Sequence, residues 1–561
     1  MEQTNSWTPM AGLCHWEREQ PDTVYLTQPT GGEITTYTWA ETADQVRRIA
    51  AHLASLDLPE GSRVALVSKN CAHWVMAHLA ILMAGHVSVP IYSSANRETV
   101  GYVLDHSEAR VLILGSLDHW DDVREGIPDG LPIIALPRAP VFDPPRENLR
   151  AWDDLVAITA PMRGEPLARA GTDLATLVYT SGSTGKPKGV MLGFGALAVG
   201  ACLANNIVPV GPDDRLISYL PLAHVFEQAV VLMGSLRFGC QLFFNESLLR
   251  FATDIERARP TIFLSVPRLW VKFQLGVLQK LPQEKLSALL ADPRTAAATQ
   301  RRILEQLGLD QARIAITGSA PLPQSVVEWY RALGLEMLEG YGMSEDFCYS
   351  HVSLPGRTRV GYVGHPHPGV ERRIGEGSEI LIKSKGAMLG YFRDPELTRA
   401  AFTEDGFFRT GDMGEIDEDG RLRITGRVKE IFKTSKGKYV APAPIEERLI
   451  SHPGIEVACV MGAGMPQPFG LLMLNAEARG AFSGEAGRAR LEEELEALRR
   501  RVNAALEDHE RLDFLAISDE QWTIANGYLT PTMKVRRNVI EKRYEPRFES
   551  WYDTRRAVIW A

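Results

Sequence analysis

Leu177-Val-Tyr-Thr-Ser-Gly-Ser-Thr-Gly-Lys-Pro-Lys-Gly-Val-Met-Leu192 is the stretch on which the fold turns. The apolar run Thr176–Tyr179 leads straight into ten small, hydroxylic and basic residues, Thr180 to Gly189. Such a passage reads as a strand ending in a loop. Its glycines let the backbone approach a ligand closely, and its hydroxyls and amides offer donors to an anion. Lys186 and Lys188 add positive charge. It is not a Walker A loop: Thr180 stands where that pattern needs its first glycine, and Pro187 where it needs a magnesium-holding hydroxyl.

Outward from this point, short aliphatic runs alternate with longer helical patterns. Arg63–Val67, Arg110–Leu114, Thr261–Ser265 and Arg313–Thr317 read as strands of largely parallel sheets, which makes the class α/β. Past Gly369 the pattern changes. Glu379–Lys383, Gly406–Thr410 and Arg421–Thr425 are closely spaced strands, with Asp417–Gly420 as a hairpin turn. A small β-rich unit is therefore expected over about 370–426. Beyond it, Val457–Met461 and Gly470–Leu474 read as strands, and Leu491, Leu495, Leu498, Val502 and Leu506 recur at helical spacing. The expected division is 1–426 for a large domain and 427–561 for a small α+β one.

The 561 residues exceed what one core usually organises. A net charge of −9 argues against a dedicated nucleic-acid binder, which would carry a broad basic face. Cys14, Cys71, Cys202, Cys240, Cys348 and Cys459 are scattered singly, with no CxxC pair, and fit a reducing, cytoplasmic compartment. The polar N-terminus carries no secretory pattern. Trp74–Ala84 and Ala229–Leu236 are far too short to span a bilayer, which leaves only peripheral membrane contact.

Four further constellations carry chemistry. Leu338-Glu-Gly-Tyr-Gly-Met-Ser-Glu345 offers a flat ring in Tyr341 and a carboxylate in Glu345 suited to magnesium. Gly411-Asp412, with Arg427 fifteen residues on, pairs a carboxylate and a guanidinium in a way that suits a sugar. Tyr219-Leu-Pro-Leu-Ala-His-Val-Phe-Glu227 places His224 in an apolar run. Asn526-Gly-Tyr-Leu-Thr-Pro-Thr-Met-Lys534 opens a basic stretch that runs to Arg547.

Together, and in this order, these motifs resemble the adenylate-forming superfamily over nearly the whole chain. The resemblance implies a mobile C-terminal domain and binding of ATP by Thr180, Ser181, Gly182, Ser183, Thr184, Gly185, Lys186 and Lys188. It adds Ser319, Ala320 and Pro321 of Thr317-Gly-Ser-Ala-Pro-Leu-Pro323, which would pack on adenine, and the run Glu339, Gly340, Tyr341, Gly342, Met343 and Ser344. Asp412 and Arg427 would hold ribose, Glu345 a Mg2+ ion, and Lys534 would be the adenylation lysine. His224 would border the carboxylate. Lys429 would be the hinge, and Lys436, Gly437 and Lys438 would line a tunnel for CoA.

Leu220–His224, Pro260–Arg268 and Lys429–Tyr439 are more similar to long-chain and very-long-chain fatty acyl-CoA synthetases than to acetyl-CoA synthetase or peptide adenylation domains. That similarity implies ATP-dependent activation of a fatty acid as acyl-AMP, then transfer to CoA. A ligase that loads a carrier protein, one that takes aryl or isoprenoid acids, and a non-catalytic binding module are the alternatives. Leu192-Gly-Phe-Gly195 departs from the polar pair that many relatives carry there, which bears on the acyl-pocket entrance.

Overall fold

The computed structural model describes residues 7–181, 186–320, 322–482, 484–524, 526–530 and 534–561, with the Ser181 side chain left aside. Around Leu177–Leu192 the expected strand forms. Leu174–Ser181 lies third in an eight-stranded sheet, after the edge strand Gly390–Tyr391 and its neighbour Pro187–Gly193. From Leu174–Ser181 onward every pairing is parallel, through Val87–Ile91, Arg63–Val67, Val111–Leu114 and Ile133–Ala135 to Leu149–Ala151. The first two strands run antiparallel.

A second sheet carries the parallel strands Ile262–Ser265, Ile314–Thr317 and Met337–Tyr341, extended by two short antiparallel strands. A third joins Arg215–Ser218 and Gln241–Phe244 to Val24–Thr30 and Glu33–Thr38. Between the layers, helix Ala72–Met83 buries every residue but His73. An apolar segment with no polar face needs cover on all sides, and here protein supplies it. Among the described residues no helix is long and apolar enough to cross a membrane.

The β-rich unit is an antiparallel sheet of Glu371–Ile374, Glu379–Lys383, Phe408–Ile416 and Leu422–Arg427. Its last hairpin closes at Asp417–Gly420, where Gly420 N–H reaches Asp417 O and Gly420 takes a φ of 81°. After Arg427 comes a separate four-stranded sheet, Ile455–Met461, Phe469–Leu474, Leu515–Ile517 and Val558–Trp560. Helix Glu485–Asn503 buries Leu491, Leu495, Leu498 and Val502 as one stripe. Leu506 lies past the helix end and still packs on the same cluster.

Burial sets how stability responds to pH. His78 and His351 are pulled down to about 3, and His73, His224 and His367 to about 4, because desolvation penalises their charged form. The unfolded chain protonates these five near pH 6.5, so stability falls as pH drops below that point. Burial pushes Glu227 and Asp346 up to about 8 and Glu339 to about 7. These three bind protons in the folded state first, so their contribution fades as pH rises from about 4 toward 8. Above pH 6.5 only the carboxyls act, and below it the histidines outnumber them. Melting temperature against pH should peak near 6.5, and a monotonic rise from pH 5 to 8 would contradict this balance.

Candidate active site

Strand Leu174–Ser181 and strand Pro187–Gly193 are hydrogen-bonded partners, with Thr180 opposite Lys188. The strands on either side of the glycine-rich run are thus antiparallel partners, whereas a Walker A loop leads into a helix. Gly182, Ser183, Thr184 and Gly185 lie outside the described residues, as does the side chain of Ser181. Thr180 and Lys188 line a cleft of about 2460 Å³. Lys186 does not line it. Its ammonium sits 5.7 Å over the Tyr102 ring.

The parallel strands of the second sheet point their carboxyl ends into this cleft, where open α/β sheets generally bind ligands. Past Ile314–Thr317, Ser319 takes a φ of 70°, and Ser319 and Ala320 are exposed to the cleft. Pro321 is outside the described residues. Past Met337–Tyr341, the chain turns so tightly that a Cβ on Gly342 would lie 2.6 Å from Cys348 Cα. Only glycine fits there. The turn Ser344–Asp346 is closed by Asp346, whose Oδ1 accepts from Met343 N–H at 2.8 Å. Glu339, Gly340, Met343, Ser344 and Glu345 also line the cleft.

Asp412 and Arg427 are direct cross-strand partners, brought opposite each other by a one-residue register shift at Met413–Gly414. Arg427 Nε donates to Asp412 Oδ1 at 2.8 Å, and Tyr341 Oη donates to Asp412 Oδ2 at the same distance. Asp412 raises the Arg427 guanidinium above its ordinary value. The Tyr341–Asp412 bond ties the two motifs together, and sequence reading gave no sign of it.

Lys534 reaches the cleft from the C-terminal sheet's side of the molecule. A narrow loop holds it: Leu529 bridges Val535, Thr530 N–H reaches Lys534 O, and Lys534 N–H reaches Thr530 Oγ1 at 3.0 Å. Its ammonium touches solvent in the cleft but is ringed by protein. Desolvation, then Arg427, pulls it below the usual lysine value, while Asp412 and Glu345 oppose them. The same positive charge adds to burial in lowering His224.

His224 Nδ1 accepts from Phe226 N–H at 3.2 Å, so the neutral ring carries its proton on Nε2. The loop bearing His224 is pinned from a distance. Asn70 Nδ2 donates to Leu220 O and Ser218 Oγ, while its Oδ1 accepts from Leu222 N–H. Gln228 Nε2 holds Leu222 O from the other side. Asn70 is 150 residues from this loop, and nothing in its own surroundings marks it.

Leu203, Ile207, Phe226, Val230 and Val363 add apolar surface to the cleft that His224 also lines. The glycines at 193 and 195 do not form its entrance. They pack on the backbone of Gly171, whose oxygen would lie 2.5 Å from a Cβ on Gly193. Gly200 likewise makes room for the Phe347 ring, so small residues there serve helix packing.

Lys429 is exposed in the turn that follows Arg427. Lys436, Gly437 and Lys438 lie away from the cleft wall, at the tip of the Phe432–Lys433/Tyr439–Val440 hairpin. Gly437 has a φ of 81°, its N–H meets Thr434 O, and Lys436 Nζ donates to Gln467 Oε1 at 3.0 Å. In the basic stretch ending at Arg547, Arg537 pairs with Glu446, Arg543 with Glu520 and Arg547 with Asp519.

Comparison with known proteins bears on the family and the fold. Residues 13–392 match the family described as AMP-binding enzyme, and residues 429–556 the AMP-binding enzyme C-terminal domain. A long-chain-fatty-acid–CoA ligase of Mycobacterium bovis is 32% identical, across 96% of either chain. The adenylation domain of a carboxylate reductase from Mycobacterium chelonae superposes with a TM-score of 0.81 at 22% identity, covering 98% of this chain and 91% of that one. The A domain of a carboxylic acid reductase from Segniliparus rugosus, solved with AMP and a co-purified carboxylic acid, gives 0.79 at 22% identity, over 97% and 93%. The chain belongs to the AMP-binding enzyme family.

Proposed function

We propose that this enzyme joins a long-chain fatty acid to CoA at the expense of ATP, through an acyl-adenylate. The carrying observation is that Lys534, Glu345, Asp412, Arg427 and His224, drawn from stretches as much as 310 residues apart, line one cleft. The 32% identity to a fatty-acid–CoA ligase supports the substrate and the acceptor. The carboxylate reductase domains speak to the fold.

In the first half-reaction the fatty carboxylate attacks the α-phosphate of ATP, and pyrophosphate leaves. Two anions must meet, and Lys534 offsets their repulsion as charge builds on the phosphate oxygens. His224, neutral with its proton on Nε2, can donate to the carboxylate oxygen without contributing a charge. Asp412 accepts from the ribose hydroxyls while Arg427 holds its carboxylate. Thr180 and Lys188 face the phosphates. In the second half-reaction the CoA sulfur attacks the acyl carbonyl, AMP leaves and the thiol proton is lost.

Glu345 would supply the carboxylate oxygen for magnesium, with Ser344 beside it in the cleft lining. Among the described residues no cluster of three or more His, Cys, Asp or Glu side chains forms a cage. One carboxylate with an open oxygen fits Mg2+, which keeps waters and phosphates as its remaining ligands. Bound, the ion neutralises phosphate charge.

The hairpin Thr434–Lys438 stands outside the cleft while Lys534 occupies it, which suits a C-terminal unit, 427–561, that swings about Lys429 between half-reactions. Arg268 meets Glu456 at 3.7 Å, and Gln279 meets Glu477, across the two parts in the present orientation. Any side chain at Gly437 strains its turn by about 1–2 kcal/mol, and Gly437→Ala carries that cost alone. Gly437→Leu should lower CoA transfer at least about tenfold beyond Gly437→Ala and leave pyrophosphate release intact. Equal CoA transfer by the two variants would refute the tunnel role.

The overall reading is tested by pyrophosphate release across acids of graded length, with and without CoA. Preference for long acyl chains and CoA-dependent AMP release support it. AMP release that ignores CoA but follows an added carrier protein supports a carrier-loading ligase instead.

A further inference from the structure

Tyr391 appears in none of the recognisable motifs, yet it touches two of them at once. It sits on the two-residue edge strand beside the glycine-rich hairpin, with Tyr391 opposite Val190 and Gly390 opposite Met191. Leu389 N–H reaches Met191 O, and Phe392 N–H reaches Gly189 O at 2.7 Å. The segment just before it is bonded to the other motif: Met388 N–H donates to Glu345 O, also at 2.7 Å. The backbone therefore clamps the phosphate hairpin to the turn that carries Glu345.

The Tyr391 side chain completes this clamp. It is 8% exposed, and its hydroxyl donates to Glu345 Oε1 at 2.9 Å. Lys188 Nζ lies 5.4 Å over its ring. Among the described residues, Glu345 Oε2 has no hydrogen-bond partner, and Glu345 lines the cleft. A flexible glutamate with both oxygens free could turn toward solvent or pair with a lysine. With one oxygen held, it presents the other to the cleft in one orientation, and side chains so locked lose little freedom when they bind.

We propose that Tyr391 is a positioning residue that fixes Glu345 for the metal–phosphate group of the bound nucleotide, its ring steadying Lys188 on the opposite side. The inference rests on reading the cleft as a Mg2+-nucleotide site. It does not depend on which acid is activated.

Tyr391→Phe removes the hydroxyl and keeps the ring, so packing and the Lys188 contact survive. Calorimetric titration with α,β-methylene-ATP, which cannot release pyrophosphate, should show about tenfold weaker binding in excess Mg2+, the effect of losing one hydrogen bond to a charged group. Binding of the same nucleotide in EDTA should be unchanged. The Mg2+ concentration for half-maximal adenylation should rise several-fold, while thioester formation from supplied acyl-AMP stays at the wild-type rate. In a Glu345→Gln background, adding Tyr391→Phe should change Mg2+-dependent binding no further. Equal affinities in Mg2+ for wild type and Tyr391→Phe would overturn the proposal, as would an equal loss with and without metal. A wild-type enzyme that binds the Mg2+-nucleotide but activates no acid would overturn the functional reading and leave this assignment standing on its binding data.

Discussion

Lys534→Ala is expected to slow acyl-adenylate formation by roughly 10²–10³-fold, the usual cost of deleting one preorganised group that stabilises developing negative charge. Thioester formation from supplied acyl-AMP should change little, because the hard encounter of two anions is already past. Pyrophosphate release and acyl-CoA formation, measured separately, check the split. Equal loss of both would contradict the role. The pH profile gives a second signature. Lys534 works only while charged, and its surroundings hold it below the ordinary lysine value. Its proton is therefore lost earlier as pH rises, so kcat/KM for ATP in the adenylation step should fall on the alkaline side. Lys534→Arg should shift that limb upward, since a guanidinium stays protonated.

Asp412→Ala should behave differently, because AMP belongs to both half-reactions. The substitution removes the acceptor for two bonds, from Arg427 Nε and Tyr341 Oη, and leaves the Arg427 guanidinium unpaired beside Lys534. Bonds to a charged partner contribute about 1.5–3 kcal/mol each. A fall of roughly 10²-fold in kcat/KM for ATP follows, with a comparable loss in use of acyl-AMP. Asp412 also helps hold Lys534 protonated, so the alkaline limb should move to lower pH in this variant. Unchanged use of acyl-AMP would place Asp412 outside the nucleotide site.

Legibility in the sequence followed locality. The strand into the glycine-rich run could be read because β-branched residues stop abruptly at Thr180. The proposed ribose pair could be read because the hairpin turn Asp417–Gly420 brings Asp412 and Arg427 close, although the one-residue register shift at Met413–Gly414 that makes them direct partners left no trace. The helix stripe from Leu491 to Val502 repeats at its own period. Contacts made by folding distant segments together left no such trace. Tyr391 reaches Glu345 only because its strand joins the sheet edge, and Asn70 meets the His224 loop only across the interface of two layers. The packing role of the glycines at 193 and 195 was hidden for the same reason: the Gly171 backbone they accommodate cannot be seen from their neighbours. Lys436, Gly437 and Lys438, expected in a CoA tunnel, lie away from the cleft at a hairpin tip.

The most direct test of the central claim follows oxygen. A fatty acid carrying ¹⁸O in both carboxylate oxygens is converted by the enzyme with ATP and CoA, and the products are weighed by mass spectrometry. Attack on the α-phosphate through an acyl-adenylate places one ¹⁸O in AMP, none in pyrophosphate, and leaves the other in the thioester. AMP without label, or label in any other phosphate product, would contradict the account.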